Sequence, residues 1–233
     1  MSADQDLNEY QLGRVLLIDK PLEWTSFQVV NKIRWVIRKH YGLRKIKVGH
    51  AGTLDPLATG LLILCTGRKT KEIEQFQAEE KEYTGTFLLG ATTPSYDLET
   101  EVDREFPTEH ITPEKVELVR QQFLGEILQR PPVFSAVHID GKRAYDLARK
   151  GLRPDVPPRQ ISIHSLDLNL EAFPEVSFVV RCSKGTYIRS LAHDIGQALN
   201  SGAHLTSLRR TGSGDFRVED AMTIGGFIEQ LEA

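Results

Sequence analysis

The chain has 233 residues, 40% of them hydrophobic and 26% charged, with a formal net charge of -3. A chain of that length hides roughly 70–75% of its unfolded surface, enough for a true hydrophobic core, and so ordinary a composition excludes a collagen-like or largely disordered protein. No stretch approaches the roughly 18 consecutive apolar residues of a membrane span. The acidic, polar start MSADQDLNEYQLG reads as neither a signal nor a transit peptide, so a cytoplasmic protein is expected, with residues 1–13 as a polar tail.

Arg14–Asp19 (RVLLID) reads as a short strand, ended by Lys20-Pro21 because proline cannot donate to a sheet. Thr25 or Ser26 offers an N-cap, and Phe27, Val30, Ile33 and Ile37 recur at helical spacing until Gly42. The other face of that helix carries Lys32, Arg34, Arg38 and Lys39. Residues 46–49 read as a strand, His50–Gly60 as a loop and Leu61–Thr66 as a buried strand. Lys81–Gly90 alternates as a strand, and the polar, acidic stretch 91–107 reads as a loop.

Thr112-Pro113 opens a helix with Val116, Val119, Phe123 and Leu124 on its apolar side, ended by Gly125. Arg130–Gly151 holds a Pro-Pro pair, a turn at Asp140-Gly141 and a short helix. Ile161–Ala172 alternates as a half-buried strand, with Val176–Cys182 as its partner. Thr186–Leu199 is helical, with Ile188, Leu191, Ala192, Ile195 and Leu199 inward. A short strand near Leu205–Arg209 and a helix from Thr223 complete the order. Hairpins mixed with single helices, without repeat or linker, predict one α+β domain over residues 14–233 with a largely antiparallel sheet.

Charge is segregated along the chain. Between Trp24 and Leu54 there are seven basic residues (Lys32, Arg34, Arg38, Lys39, Arg44, Lys45, Lys47) and no acid. Arg130–Arg159 carries seven basic residues against three acids, and Val176–Gly214 five against one. Acids gather elsewhere, nine against three basic residues in Asp97–Glu126. A charge run is often a solvated face, but convergence of the basic segments would make a positive cleft suited to a polyanion. Cys65 and Cys182 lie in apolar runs and read as buried reduced thiols. They give no zinc spacing, and the seven histidines form neither HxxxH nor HExxH, so no metal is expected.

GHAGTLDPLATG (Gly49–Gly60) is the most informative stretch. Its glycines permit positive φ or close backbone approach, and Pro56 restricts Asp55 to an extended conformation. A carboxylate is thus presented from a stiff frame between two hydrophobic strands; a turn residue capping its own loop is the alternative. No phosphate-binding GxxxxGK[ST] is present there. In RCSKGTYIRSLAHDIG (Arg181–Gly196), Tyr187 and Arg189 fall in the first turns of a helix. An arginine there opposes the helix dipole by a few tenths of a kcal/mol, so it either has a partner, such as a carboxylate, or is a surface residue. Tyr83 in KEYTG is either a packing residue or a functional one.

Together these stretches closely resemble the bacterial TruB-type tRNA pseudouridine synthases. The resemblance runs from LLIDKP through GHAGTLDPLATG, KEYTG, PPVFSAVHIDGKRAYDLARKG and RCSKGTYIRSLAHDIG to Ser207-Leu208-Arg209-Arg210, over roughly residues 14–222. It implies a pseudouridine-synthase-like α+β fold, with a central, mostly antiparallel mixed sheet flanked by helices. It implies conversion of the T-loop uridine of tRNA (position 55) to pseudouridine, with neither cofactor nor metal. By the same resemblance, Asp55 attacks the target nucleotide and Arg189 pairs with it. Tyr83 stacks on the base and takes part in proton transfer, and Tyr187 belongs to the same pocket. Leu208 lies under the base, His50 supports the flipped-out loop, and Lys20 and Pro21 border the pocket. The expected partner is the T-arm stem-loop of tRNA, bound by a monomer, with no membrane contact.

Two departures stand out. Glu23 occupies a place where the family often has glycine, so a different turn is expected there. Many members carry a C-terminal PUA domain; this chain stops at Ala233, so affinity is expected to rest on the catalytic domain, with residues 130–160 as a mobile element closing on the tRNA arm. A glycosidase would need two carboxylates, and the motif loop supplies only Asp55; Asp97 and Glu99 lie in a polar loop without an arginine-paired motif. A non-catalytic tRNA-binding or folding factor would have no use for Asp55, whose charge opposes phosphate. A guide-RNA-dependent relative would rely on a PUA domain.

Overall fold

The computed structural model describes residues 7–233 apart from 136, 140 and 153, and of Arg143 the backbone only. The expected turn at Asp140-Gly141 and the first six residues of the expected tail therefore lie partly or wholly outside the described residues. In chain order the elements are α1 (Glu9–Leu12), β1 (Val15–Lys20), α2 (Ser26–His40), β2 (Val48–His50) and β3 (Ala58–Thr66). A 3-10 helix over Gly67–Glu72 leads into α3 (Ile73–Ala78), followed by β4 (Lys81–Leu89), β5 (Ala91–Thr92), β6 (Arg104–Glu105), α4 (Pro113–Gln122) and β7 (Gly125–Gln129). Next come β8 (His138–Ile139), β9 (Lys142–Arg143), α5 (Ala144–Ala148), β10 (Arg159–Asn169) and β11 (Glu175–Cys182). The chain finishes with α6 (Ile188–Ala198), β12 (Ala203–Ser213), β13 (Phe216–Arg217) and α7 (Ile224–Glu232). This is the expected α+β class on a large, mostly antiparallel sheet.

The chain forms two compact units, one running to Tyr83 and resuming at Arg209, the other Thr84–Leu208. In the first, the strand order is β1-β3-β12, with β2 also on β3 and β13 on β12. β1 and β3 pair antiparallel from Val15↔Cys65 to Lys20↔Gly60. α2 begins where Thr25 accepts a hydrogen bond from the Gln28 N–H while the Gln28 side chain reaches back, a capping box. Its inward face (Val29, Val30, Ile33, Val36, Ile37) packs with Ile18, Leu62, Leu64, Phe227 and Leu231. Burying such an aliphatic side chain contributes about 1.5–3 kcal/mol each. Residues 9–12, read as tail, form one helical turn capped by Asn8, because Tyr10 is buried edge-on to Phe227.

In the second unit the order is β12-β4-β11-β10-β7. α6 lays Ile188, Leu191, Ala192 and Ile195 on Phe87, Leu166 and Phe178 of the sheet. All five residues expected to face inward on α6 are buried. The stretch 91–107 is better ordered than a plain loop: β5 and β6 pair, and Tyr96 stacks on His193 with ring centroids 3.8 Å apart.

Candidate active site

The first unit holds Asp55, His50, Lys20, Pro21 and Tyr83. Asp55 is half-buried in the loop between β2 and β3, and its carbonyl accepts from the Ala58 N–H at 3.1 Å. The loop is braced on three sides. Ser26, in the first turn of α2, donates its hydroxyl to the Leu54 carbonyl (3.1 Å) and accepts from the Leu54 N–H (2.9 Å). The residue before Asp55 is thereby fixed. Because Thr25 serves as the cap, the Ser26 hydroxyl is available for this.

Lys20 is fully buried, and its ammonium donates to the carbonyls of Pro21 (3.0 Å), Trp24 and Pro56 (3.3 Å). It ties the end of β1 to the residue after Asp55. Burial pushes its pKa down to about 8; the Asp55 charge acts against that shift and Arg210 with it. Arg210, 2% exposed, donates Nε to the Leu61 carbonyl (2.7 Å) and Nη2 to the Gly52 carbonyl (3.2 Å). It clamps the loop at both ends. Gly60 must be glycine here: φ is +100°, and a Cβ would lie 2.3 Å from the Arg210 carbonyl oxygen.

His50 is half-buried at the end of β2. Burial pushes its pKa down, with the Gly52 backbone acting in the other direction, so the neutral imidazole is favoured. Pro21 is exposed at the turn after β1. The turn at Glu23 keeps a glycine-like backbone, φ +66°, and the Glu23 N–H donates to the Pro56 carbonyl at 2.9 Å. Tyr83 is buried on β4, on the same strand face as Lys81, whose ammonium caps the end of α3 through the carbonyls of Phe76, Gln77 and Glu79.

The second unit holds Tyr187, Arg189 and Leu208. Tyr187 is the N-cap residue of α6. The Gln129 side chain clasps its backbone both ways, accepting from the Tyr187 N–H (2.8 Å) and donating to its carbonyl (3.0 Å). The Arg159 guanidinium lies 4.4 Å from the Tyr187 ring centroid. Leu208 is half-buried on β12.

Arg189, 4% exposed, donates Nη1 to the Ser95 carbonyl at 3.2 Å, and its Nε lies 3.6 Å from the Asp97 carboxylate. The unfavourable helix position thus has an acidic partner. Asp97 corrects the sequence reading, which placed it in a polar loop without an arginine partner: it is buried and paired with Arg189. One Asp97 carboxylate oxygen accepts from the Glu99 N–H at 3.0 Å, and its carbonyl accepts from the Thr93 and Ser95 hydroxyls. Periodicity could not find Asp97, since its segment has none. Ser26, Gln129 and Arg210 were likewise missed as loop and helix braces.

Among the described residues no group of His, Cys, Asp or Glu could hold a metal ion, and no helix is long and apolar enough to cross a membrane.

Residues 38–188 match the TruB family pseudouridylate synthase N-terminal domain, and 189–232 the tRNA pseudouridylate synthase B C-terminal domain. Proteins named tRNA pseudouridine synthase B from Flavobacterium johnsoniae and Phocaeicola vulgatus are 57% and 59% identical to this chain. The alignments cover 96% of this chain in both cases, and 98% and 95% of those proteins. A solved Cbf5-Nop10-Gar1 complex aligns with TM-score 0.69 at 32% identity, over 94% of this chain and 54% of that one. An H/ACA RNP bound to a substrate RNA containing 2'-deoxyuridine aligns with TM-score 0.66 at 30% identity, over 94% and 53%. The chain spans about half the length of those two solved chains. Fold and family together define an RNA-isomerising enzyme, a pseudouridine synthase. Within that class, the chain belongs to the TruB family of pseudouridylate synthases.

Proposed function

We propose that this enzyme converts the T-loop uridine of tRNA (position 55) to pseudouridine, with Asp55 as the nucleophile. The observation that carries the reading is the frame around Asp55: a carboxylate flanked by two backbone segments that Ser26, Lys20 and Arg210 hold in place. The reaction breaks the N1–C1′ bond of the nucleotide and forms a C5–C1′ bond. The C5 proton passes to solvent and N1 gains one, so no atom is lost and no redox partner is needed. One carboxylate can carry the covalent step, at C1′ or at C6 of the base.

Arg189 is proposed to orient the Asp55 carboxylate through charge-assisted hydrogen bonds. Its tie to Asp97 supports a fixed guanidinium. Tyr83 stacks on the flipped base and takes part in proton transfer, Tyr187 belongs to the same pocket, Leu208 lies under the base, His50 supports the flipped-out loop, and Lys20 and Pro21 border the pocket. Extruding a stacked base costs a few kcal/mol, and stacking on one aromatic ring returns roughly 1–3 kcal/mol. Residues 130–160 are proposed to close on the tRNA arm. Their described ties include an exposed Arg130–Asp155 pair and an Arg149–Glu99 pair at 3.7 Å, which contribute little stability. Unchanged hydrogen exchange there on adding tRNA would remove that element of the proposal.

The test is tritium release from an unmodified tRNA transcript labelled at C5 of uridine, with Asp55→Asn beside the wild type. About one equivalent released per tRNA, absent in the variant with affinity within a few-fold, is expected for a nucleophile. Tight binding without release by the wild type would assign a binding or folding role instead.

A further inference from the structure

The outward face of α2 carries large aromatic side chains that the core does not use. Phe27 and Trp35 are 63% and 53% exposed. Lys32 and Lys39 bring their ammonium groups to 5.0 and 5.2 Å from the Trp35 ring centroid, so two cations bracket one exposed indole. Not every cation of the segment is available to a partner. Arg34 bonds Asn31 and the Val48 carbonyl, and Arg38 bonds the Leu43 carbonyl. Lys32 and Lys39 lie against the indole instead, with Arg44, Lys45 and Lys47 exposed just beyond the helix.

The strip begins at the catalytic loop. Phe27 follows Ser26, which holds Leu54 beside Asp55. Eight residues further, at about 1.5 Å per residue, Trp35 stands about 12 Å along the helix axis from Phe27. No acidic residue occurs between Trp24 and Leu54, so α2 and the segment after it contribute only positive charge to this face. A ring held between cations suits a ligand that offers a π-face and negative charge together. A nucleotide of an RNA strand does so: the base stacks on the ring and the phosphate meets the ammonium.

We propose that Trp35, Lys32 and Lys39 form a second RNA contact, in which the substrate RNA runs from the Asp55 loop along α2. This rests on the reading that the substrate is RNA, but not on which uridine is modified. Trp35 is the stacking platform and the two lysines hold the backbone, adding affinity without touching the reacting nucleotide.

The experiment measures equilibrium binding of an unmodified tRNA transcript to the full chain between 50 and 200 mM salt. Wild type is compared with Trp35→Ala, Trp35→Phe and Lys32→Ala/Lys39→Ala, with thermal melting to confirm folding. Trp35→Ala is expected to weaken binding about tenfold and Trp35→Phe far less, since a ring remains. The double lysine variant is expected to lower the slope of log affinity against log salt by about 1.5. Affinity within twofold of wild type for Trp35→Ala, with an unchanged salt slope for the double lysine variant, in folded proteins would overturn the proposal, whether or not the face then proved to hold a protein partner. Failure of the proposed reaction would read differently, as absent tritium release from a wild type that still binds through this strip.

Discussion

Ser26 and Leu54 hydrogen-bond each other twice, hydroxyl to carbonyl and amide to hydroxyl, although they are far apart in the chain. Both are buried. The first turn of α2 is thus fastened to the residue before Asp55. Replacing Ser26 by alanine leaves a buried N–H and C=O unmet, at about 1–3 kcal/mol per group. Ser26→Ala is expected to lower stability by about 2 kcal/mol. It should also reduce kcat at least tenfold with KM little changed, because about 1 Å of misplacement near a reacting group is costly. Thermal melting and steady-state tritium release check the two effects separately.

Gly60 and Gly42 both have positive φ, but only one is crowded. At Gly60 a Cβ would lie 2.3 Å from the Arg210 carbonyl oxygen, while at Gly42 nothing lies within 4 Å. Gly42→Ala is expected to cost about 1 kcal/mol, the left-handed penalty alone. Gly60→Ala is expected to cost more than about 3 kcal/mol or to prevent folding, since backbone must move. Urea denaturation of the two variants tests the contrast.

Arg189 and Asp97 are expected to act as a unit. Arg189→Lys loses the planar fork and should lose most of the rate. Asp97→Asn should lower kcat about tenfold or more, with tRNA affinity within a few-fold, because the guanidinium is less firmly oriented. The double variant should lose little beyond the worse single one; additive losses would argue against coupling.

Asp194 is half-buried on α6, and burial pushes its pKa up to about 6 from an ordinary 3.8. The folded state therefore holds a proton that the unfolded state releases between those values. Its contribution to stability is fully present below pH 3.8 and is lost as pH rises through 6. Asp194→Asn should be more stable than wild type above pH 6 by roughly 1–3 kcal/mol, and equal to it near pH 4. Melting temperatures from pH 4 to 8 test the sign.

Local signals in the sequence were strong where one element supplied its own reasons. The N-cap at Thr25, the apolar spacing of Val30, Ile33 and Ile37 on α2 and the inward face of α6 all follow from residues within a few turns of one another, whereas Phe27, read with that spacing, is exposed. The frame around Asp55 was legible in part, as glycines and a proline about a carboxylate. The family and its chemistry were legible too, because the motifs stand in a specific order.

Other features depend on partners distant in sequence. Arg210 meets Gly52 across 158 residues, and neither segment announces the other. Asp97 reads as one acid of a polar loop until Arg189 is brought to it. Glu23 reads as a change of turn, yet its backbone takes φ +66° and bonds Pro56. β12 runs over Ala203–Ser213, longer than its own alternation suggested, because neighbouring strands decide how far a ladder extends. Propensity, capping and periodicity are short-range and can be read along the chain. Burial of a charge, the pairing of a guanidinium and the crowding of a glycine are set by what lies opposite, and only the tertiary structure decides that.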